Sequence, residues 1–509
     1  MGNRMTQRIA ALAAGAAAAA LVLSGCAAGS AGSGDPATES DRQREAFPAL
    51  YAQTIEWGEC DDDFSLEADQ IDRLEELGGS PADFRCAMIE APFDWDDPDL
   101  AETIELAVVH IPTAGEGRDG VLFGNPGGPG ASGLEYVYDM TVAPGFDEVM
   151  RHYDLVGFDP RGIGRSTPIE CETFSDLPSV QIASCAEEEP LARTMGTSQV
   201  ARDMELLRQL MDDERMHYLG YSYGTMLGAT YSTLFPERVG RMALDSAEAA
   251  GWAGLVGSFD QFRAIALAID ELFTECGTRY EVEVCPFADS DALLAAMQRL
   301  SDDPLLASDG TEVDGGMLYG YFVSGLYQRT VGREIVLDTT ALALFGDQGA
   351  IDRLAEAMSG GGAAVGLAGT MVRCHSFPAD PDVMGLLEHI EELGLPQLLG
   401  GPEITDDTVA DFINLKCFAL AESGDDITDS FSGSPDAPIL VVGITGDHAT
   451  HYEGAKELVE QLGNARLLTL EGTGHGASFM GRSSCADEAV AAYLVRGELP
   501  AEGAVCTDD

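Results

Sequence analysis

Lysine is almost missing from this chain: Lys416 and Lys456 are the two in 509 residues, and all basic residues together number 28 against 87 acidic ones, a formal charge of −59. Such an excess argues against nucleic acid and anionic lipid surfaces as partners, because both would be repelled. It suits a solvated acidic surface that attracts cationic or amine-bearing molecules. No two cysteines stand in Cys-x-x-Cys spacing, which speaks against a zinc or redox site of that type. No internal repeat is evident. With 45% hydrophobic residues the chain is not short of core-forming material, so a large globular fold is expected rather than disorder.

At the N-terminus, Arg4 and Arg8 precede an apolar run from Ile9 to Leu23, too short for a comfortable membrane span and rich in alanine. Residues 1–25 read as a signal peptide. The run ends in Leu23-Ser24-Gly25-Cys26, which resembles the lipobox of bacterial lipoproteins, so Cys26 is the expected lipidated residue and the outer face of the cell membrane the expected location. Residues 26–45 begin with Gly, Ala and Ser and read as a flexible tether. Ten cysteines remain beyond Cys26, an even number that fits an oxidising compartment. Pairing each with its neighbour in the chain is the simplest arrangement, because every bridge then closes a local loop: Cys60 with Cys86, Cys171 with Cys185, Cys276 with Cys285, Cys374 with Cys417, and Cys485 with Cys506.

Apolar runs bounded by turn residues predict strands at Thr103 to Ile111, Val121 to Gly124, Asp154 to Phe158, Tyr218 to Leu219 and Arg241 to Leu244, and again at Pro438 to Val442 and Arg466 to Leu470. Helical spacing, as in Met204, Leu207, Leu210 and Met211, falls between the later ones. The alternation points to an α/β fold with a mostly parallel, doubly wound sheet. From Ala247 to Ser434 the patterning is largely helical, with a glycine break at Ser359-Gly360-Gly361-Gly362-Ala363. The expected organisation is a core in two parts, 46–246 and 435–509, around a helical insertion, 247–434.

The sharpest local motif is Gly220-Tyr221-Ser222-Tyr223-Gly224, set between a short apolar run and a helical stretch. A serine at a strained strand-to-helix turn needs small neighbours two positions either side, and the following helix N-terminus favours developing negative charge. Ser222 is therefore the candidate nucleophile. It needs a base, and His475 in Gly472-Thr473-Gly474-His475-Gly476 follows a predicted strand, where a parallel sheet delivers side chains to its C-terminal edge. Asp447, after another predicted strand, is the candidate orienting acid. His448 and His451 offer a rival reading with Asp447 as metal ligands, but no further protein ligand is evident and no cofactor is implied. The glycine-rich loop from Gly124 to Gly133 supplies amides for an oxyanion: Gly128 or Gly127, together with Tyr223. It lacks the Lys-Ser/Thr of a phosphate cradle, and Pro126 and Pro129 remove donors. The loop from Asp159 to Ser166 reads as structural.

Taken together, Asn125 to Gly133, Phe158 to Ser166, Gly220 to Gly224, the late Asp447 and His475, and a tail with Cys485, Tyr493, Gly497, Pro500 and Cys506 resemble the secreted tripeptidyl aminopeptidases of actinobacteria, relatives of the proline iminopeptidases among the α/β-hydrolases. The order Ser, Asp, His is the order of that fold. The resemblance implies an α/β-hydrolase with a helical cap before the strand that carries the acid, acting as a serine exopeptidase on peptides with a free N-terminus. Two departures border the expected site: His448-Ala449-Thr450-His451 follows Asp447 where the family commonly has a proline, and Ser246-Ala247-Glu248-Ala249-Ala250 drifts after Asp245. An acidic residue must hold the substrate amine, with Glu135 and Glu248 as candidates. An esterase and a solute-binding lipoprotein are the alternative readings; the second leaves Asp447 and His475 without a purpose.

Overall fold

The structure, a computed structural model, describes residues 37–60, 71–72, 75–76, 79–113, 115, 117–171, 178–280, 285–328, 330–359, 366–376, 382–401, 417, 420 and 430–509. The signal peptide, Cys26 and the glycine break at 360–362 lie outside them. Eleven strands are β1 (Arg85–Pro92), β2 (Thr103–Ile111), β3 (Gly120–Asn125), β4 (Tyr153–Phe158), β5 (Met216–Tyr221), β6 (Val239–Asp245), β7 (Leu305–Leu306), β8 (Glu312–Val313), β9 (Ile439–Gly446), β10 (Ala465–Thr473) and β11 (Val505–Thr507). Nine of them form one sheet in the order β1-β2-β4-β3-β5-β6-β9-β10-β11. Pairing is antiparallel from β1 to β2 and from β2 to β4, and parallel everywhere else in that sheet.

Each strand read from the sequence lies within one of these elements, or overlaps it by all but one residue, because strands buried on both faces are continuous apolar runs. Every residue of β3 and β4 is buried. Alternate side chains serve opposite faces: Val121, Phe123 and Tyr218 join one core cluster with the helices Thr197–Leu210 and Tyr223–Leu234, while Leu122 and Leu219 join a second with the helices Gly133–Thr141 and Ser484–Arg496. Two strands of the nine-stranded sheet escaped the sequence reading, as did the short pair β7 and β8. β1 carries Arg85, Glu90 and Pro92 and, at the sheet edge, alternates buried with exposed positions, which breaks its apolar run. β11 is three residues long.

Between β6 and β9 the described residues are mainly helices, beginning with the 26-residue helix Leu255–Tyr280, plus the hairpin of β7 and β8. This segment has a hydrophobic cluster of its own around Leu272, Phe287, Phe322 and Leu354. The five disulfides pair each cysteine with its chain neighbour, as expected from loop closure.

The end of the stretch expected as a tether, 26–45, is helical instead. A helix runs from Glu39 to Ala46, with the Thr38 hydroxyl accepting from the Asp41 amide at 3.1 Å. Ser40 donates to Glu205 at 2.6 Å and the Gln43 amide donates to the Arg202 carbonyl at 2.8 Å. Polar composition reads as tether, yet these side chains donate to partners some 160 residues away, which fixes the helix against the fold.

Candidate active site

β5 ends at Ser222, the first residue past the strand and the cap of the helix Tyr223–Leu234, with φ 55° and ψ −128°. A non-glycine residue there is strained, and strain of this kind concentrates at functional turns. Its surroundings impose the glycines: a Cβ on Gly220 would lie 2.6 Å from the Gly224 carbonyl oxygen, and one on Gly224 would lie 2.8 Å from that of Asn125. The turn is held by the Ser222 amide, which donates to the Asp245 carbonyl at 3.0 Å.

Asp447 stands one residue beyond β9 and His475 two beyond β10, so parallel pairing of these strands brings both to one sheet edge. His475 Nδ1 lies 2.9 Å from Asp447 Oδ1 and 3.0 Å from Oδ2. An ionised carboxylate only accepts, so Nδ1 carries the proton and Nε2 is left with its lone pair. The Asp447 carboxylate also accepts from the amides of Ala449 and Thr450 at 2.9 and 3.0 Å and from the Thr450 hydroxyl at 3.0 Å. Burial pushes the Asp447 carboxyl up, but the charge and hydrogen bond of His475 and the Thr450 amide outweigh it, and the net direction is down. His475 shows the mirror balance: burial pushes it down, Asp447 more than reverses this, and it stands above the ordinary histidine value.

Ser222 and His475 line one cavity of about 490 Å³, together with Gly128 and with Trp252, Phe262 and Tyr327 from the segment between β6 and β9. A second cavity of about 500 Å³ lies against the same His475 and Tyr327, and its lining includes the charged groups Glu275, Arg333, Arg482 and Asp508.

The expected oxyanion amides divide. Gly127 donates its N–H to its own neighbour Asn125 at 2.9 Å, so this amide is already used and Gly127 does not fit the role expected of it. Its place is steric: a Cβ there would meet the Tyr221 carbonyl oxygen at 2.4 Å and Ser222 Cβ at 3.0 Å. Gly128 lines the cavity, and the Tyr223 amide opens a helix whose first N–H groups have no partner within it. Neither glutamate proposed for a substrate amine lines the Ser222 cavity. Glu135 is exposed in the first turn of the helix Gly133–Thr141. Glu248 is 2% exposed with Oε2 3.3 Å from His451 Nδ1. His451 is thereby turned to Glu248, while His448 packs edge-on against Tyr327 with ring centroids 4.5 Å apart, so the two histidines face different partners. Burial pushes His448 down to about 4.

The loop after β4 is built as a brace. Arg161, fully buried, meets Asp203 through Nε at 2.8 Å and Nη2 at 2.6 Å, and Asp159 accepts from the Ser132 hydroxyl at 2.6 Å.

Asp245, the last residue of β6, was not singled out from the sequence. It is fully buried and accepts from the amides of Ala477 and Ser478 at 2.9 and 2.8 Å and from the Ser478 hydroxyl at 2.5 Å. Ser246 accepts from the Gly476 amide at 2.8 Å. Both therefore hold the turn immediately after His475. The available signal was an aspartate at the C-terminal end of a predicted strand, in a chain with many carboxylates.

A mostly parallel sheet in this order, with a strained serine after β5 and an aspartate–histidine contact formed by the ends of β9 and β10, defines the α/β-hydrolase class. Residues 121–283 match the family described as alpha/beta hydrolase fold, and residues 406–506 match the one described as TAP-like protein. Among curated proteins, carboxylesterase B of Mycobacterium tuberculosis is 30% identical over 83% of this chain and 86% of its own length. Serine protease Hip1 of the same organism is 28% identical over 96% of both chains. Tripeptidyl aminopeptidase of Streptomyces lividans is 28% identical over 89% of this chain and 86% of its own. The chain belongs to the TAP-like family of α/β-hydrolases and is a serine hydrolase.

Proposed function

We propose that the protein is an extracytoplasmic exopeptidase that releases short peptides, tripeptides foremost, from free N-termini through an acyl-enzyme on Ser222. The observation that carries this reading is the contact of His475 with Asp447 on the wall of the cavity that Ser222 also lines. Relatives named serine protease and tripeptidyl aminopeptidase support peptides as substrates.

In this mechanism Ser222 Oγ attacks the scissile carbonyl carbon and its proton passes to His475 Nε2. The oxyanion is met by the amides of Gly128 and Tyr223. Asp447 holds the tautomer and stabilises the imidazolium, which then protonates the leaving nitrogen as the carbon–nitrogen bond breaks. Water attacks the acyl-enzyme, its proton passes to His475, and the peptide leaves with Ser222 restored. Residues 247–434 act as a cap, which supplies Trp252, Phe262, Ile265 and Tyr327 to the cavity and so limits the acyl segment it admits. Cleavage before Cys26 and lipidation there anchor the enzyme outside the membrane, a location that five disulfides suit.

Profiling on a peptide library, scored by distance of the cut from the N-terminus, tests the exopeptidase reading; internal cuts without regard to the terminus would sink it. Ser222→Ala is expected to abolish labelling by a fluorophosphonate probe. The relative named carboxylesterase B favours an ester-cleaving reading as the alternative, decided by comparing kcat/KM for tripeptidyl arylamides and short aryl esters. Loss of palmitate labelling in Cys26→Ala tests the anchor.

A further inference from the structure

The cavity over Ser222 is apolar where Trp252, Phe262 and Ile265 face it, and among its described lining residues Arg373 is the one permanently charged side chain. Several buried or half-buried arginines of this acid-rich chain are paired with carboxylates: Arg161 with Asp203, Arg208 with Glu205, Arg333 with Glu275 and Arg482 with Asp508. Arg373 instead makes its hydrogen bonds to neutral acceptors, the Ser258 hydroxyl at 2.6 Å and the Trp252 carbonyl at 3.4 Å. Its guanidinium lies 4.3 Å from the centroid of the Trp252 ring, and no described carboxylate forms an ion pair with it. Burial acts on it unopposed and pushes it down to about 10, as expected of a cation set into a wall with no counter-charge. The Trp252 indole N–H is also buried without an acceptor.

The position is also rigid. Arg373 occupies the last turn of the helix Leu367–Ser376, where the helix dipole favours a cation, and the next residue, Cys374, is bridged to Cys417, which itself lines the cavity. The ring of Trp252 and the hydroxyl of Ser258 hold the guanidinium while leaving Nε and Nη1 without a described partner. Either of these nitrogens can donate a charge-assisted hydrogen bond to a carboxylate.

We propose that Arg373 is the anion-binding residue of the acyl cavity, and that preferred substrates carry a carboxylate, such as an aspartate or glutamate side chain, in the segment that becomes the acyl-enzyme. This rests on Ser222 as the nucleophile. It sets the cavity against the molecule as a whole: the surface repels anions, and the one fixed charge at the described wall attracts them.

The test compares kcat/KM for tripeptidyl arylamides with glutamate or glutamine at each of the three acyl positions, on the full chain. At one position glutamate is expected to be preferred by about tenfold or more, the scale of a charge-assisted hydrogen bond. In Arg373→Met that ratio falls towards one. Should this variant not fold, Arg373→Gln keeps a donor for Ser258 and serves the same comparison. If arylamides are poor substrates, aryl esters of glutarate and pentanoate form the equivalent pair. A ratio near one at every position in the wild type, or a preference that persists in the Arg373 variants, overturns the proposal while the Ser222 reading stands. Hydrolysis that survives Ser222→Ala overturns both.

Discussion

Asp447 and His475 set each other's protonation, and the consequence is a defined pH profile. His475 acts as base only when neutral, and the Asp447 charge, against the burial that pushes the ring down, holds it above the ordinary histidine value of about 6.5. The acidic limb of kcat/KM is therefore expected above that value, with activity lost as pH falls through it. In Asp447→Asn burial acts with no opposing carboxylate, so the limb should move down while kcat drops by about 10³–10⁴, since the ring loses the acceptor that selects its tautomer. A limb unmoved in that variant would separate Asp447 from the base. The same scale shows where reading a sequence stops short. Ser222 was legible because the glycines that permit its turn stand within five residues of sequence, whereas the choice between Gly127 and Gly128 depends on whether an amide faces the cavity or the Asn125 side chain.

At the level of elements, two buried carboxylates fasten loops, one to the sheet edge and one to a helix. Asp245 grips Ala477 and Ser478, so it is a positioning residue for the loop that carries His475. Asp245→Asn turns an amide donor towards donors, and a shift of the loop is expected to lower kcat by about 10²-fold with a smaller change in KM, because displacement of about 1 Å at a base costs that much. A fall in stability without any change in kcat would make its role purely structural. Arg161 and Asp203 tie the loop after β4 to the helix Thr197–Leu210, and Arg161→Met leaves a fully buried carboxylate without its cation. Roughly 3–5 kcal/mol of stability should be lost in urea unfolding. A measured loss below about 1 kcal/mol would show that Asp203 is relieved by other means, such as the Trp95 indole N–H that already donates to it at 2.9 Å.

Over the whole molecule the formal charge of −59 is a standing repulsion that folding concentrates. Raising ionic strength from about 0.01 to 0.15 M shortens the screening length from about 30 to about 8 Å, so the melting temperature should rise over that interval, as scanning calorimetry can check. A flat response would mean that the charges are spaced widely enough to ignore. Electrostatics at this scale and at the cavity differ in sign, since composition reports the surface average and Arg373 stands in a recess lined by apolar and neutral polar groups.

What the sequence determined by itself is whatever short-range physics dictates: apolar runs that become buried parallel strands, the glycines around Ser222 that no Cβ can replace, and disulfides that close local loops. Tertiary structure decided what depends on residues far apart in the chain. Asp245 meets Ser478 across more than 230 residues, Ser40 meets Glu205 across 165, and Arg373 reaches the Ser222 cavity from the segment inserted between β6 and β9. In each case the side chain is ordinary in its local context, and only the packing that removes water from around it determines which partner it finds, or, for Arg373, that no described carboxylate is among them.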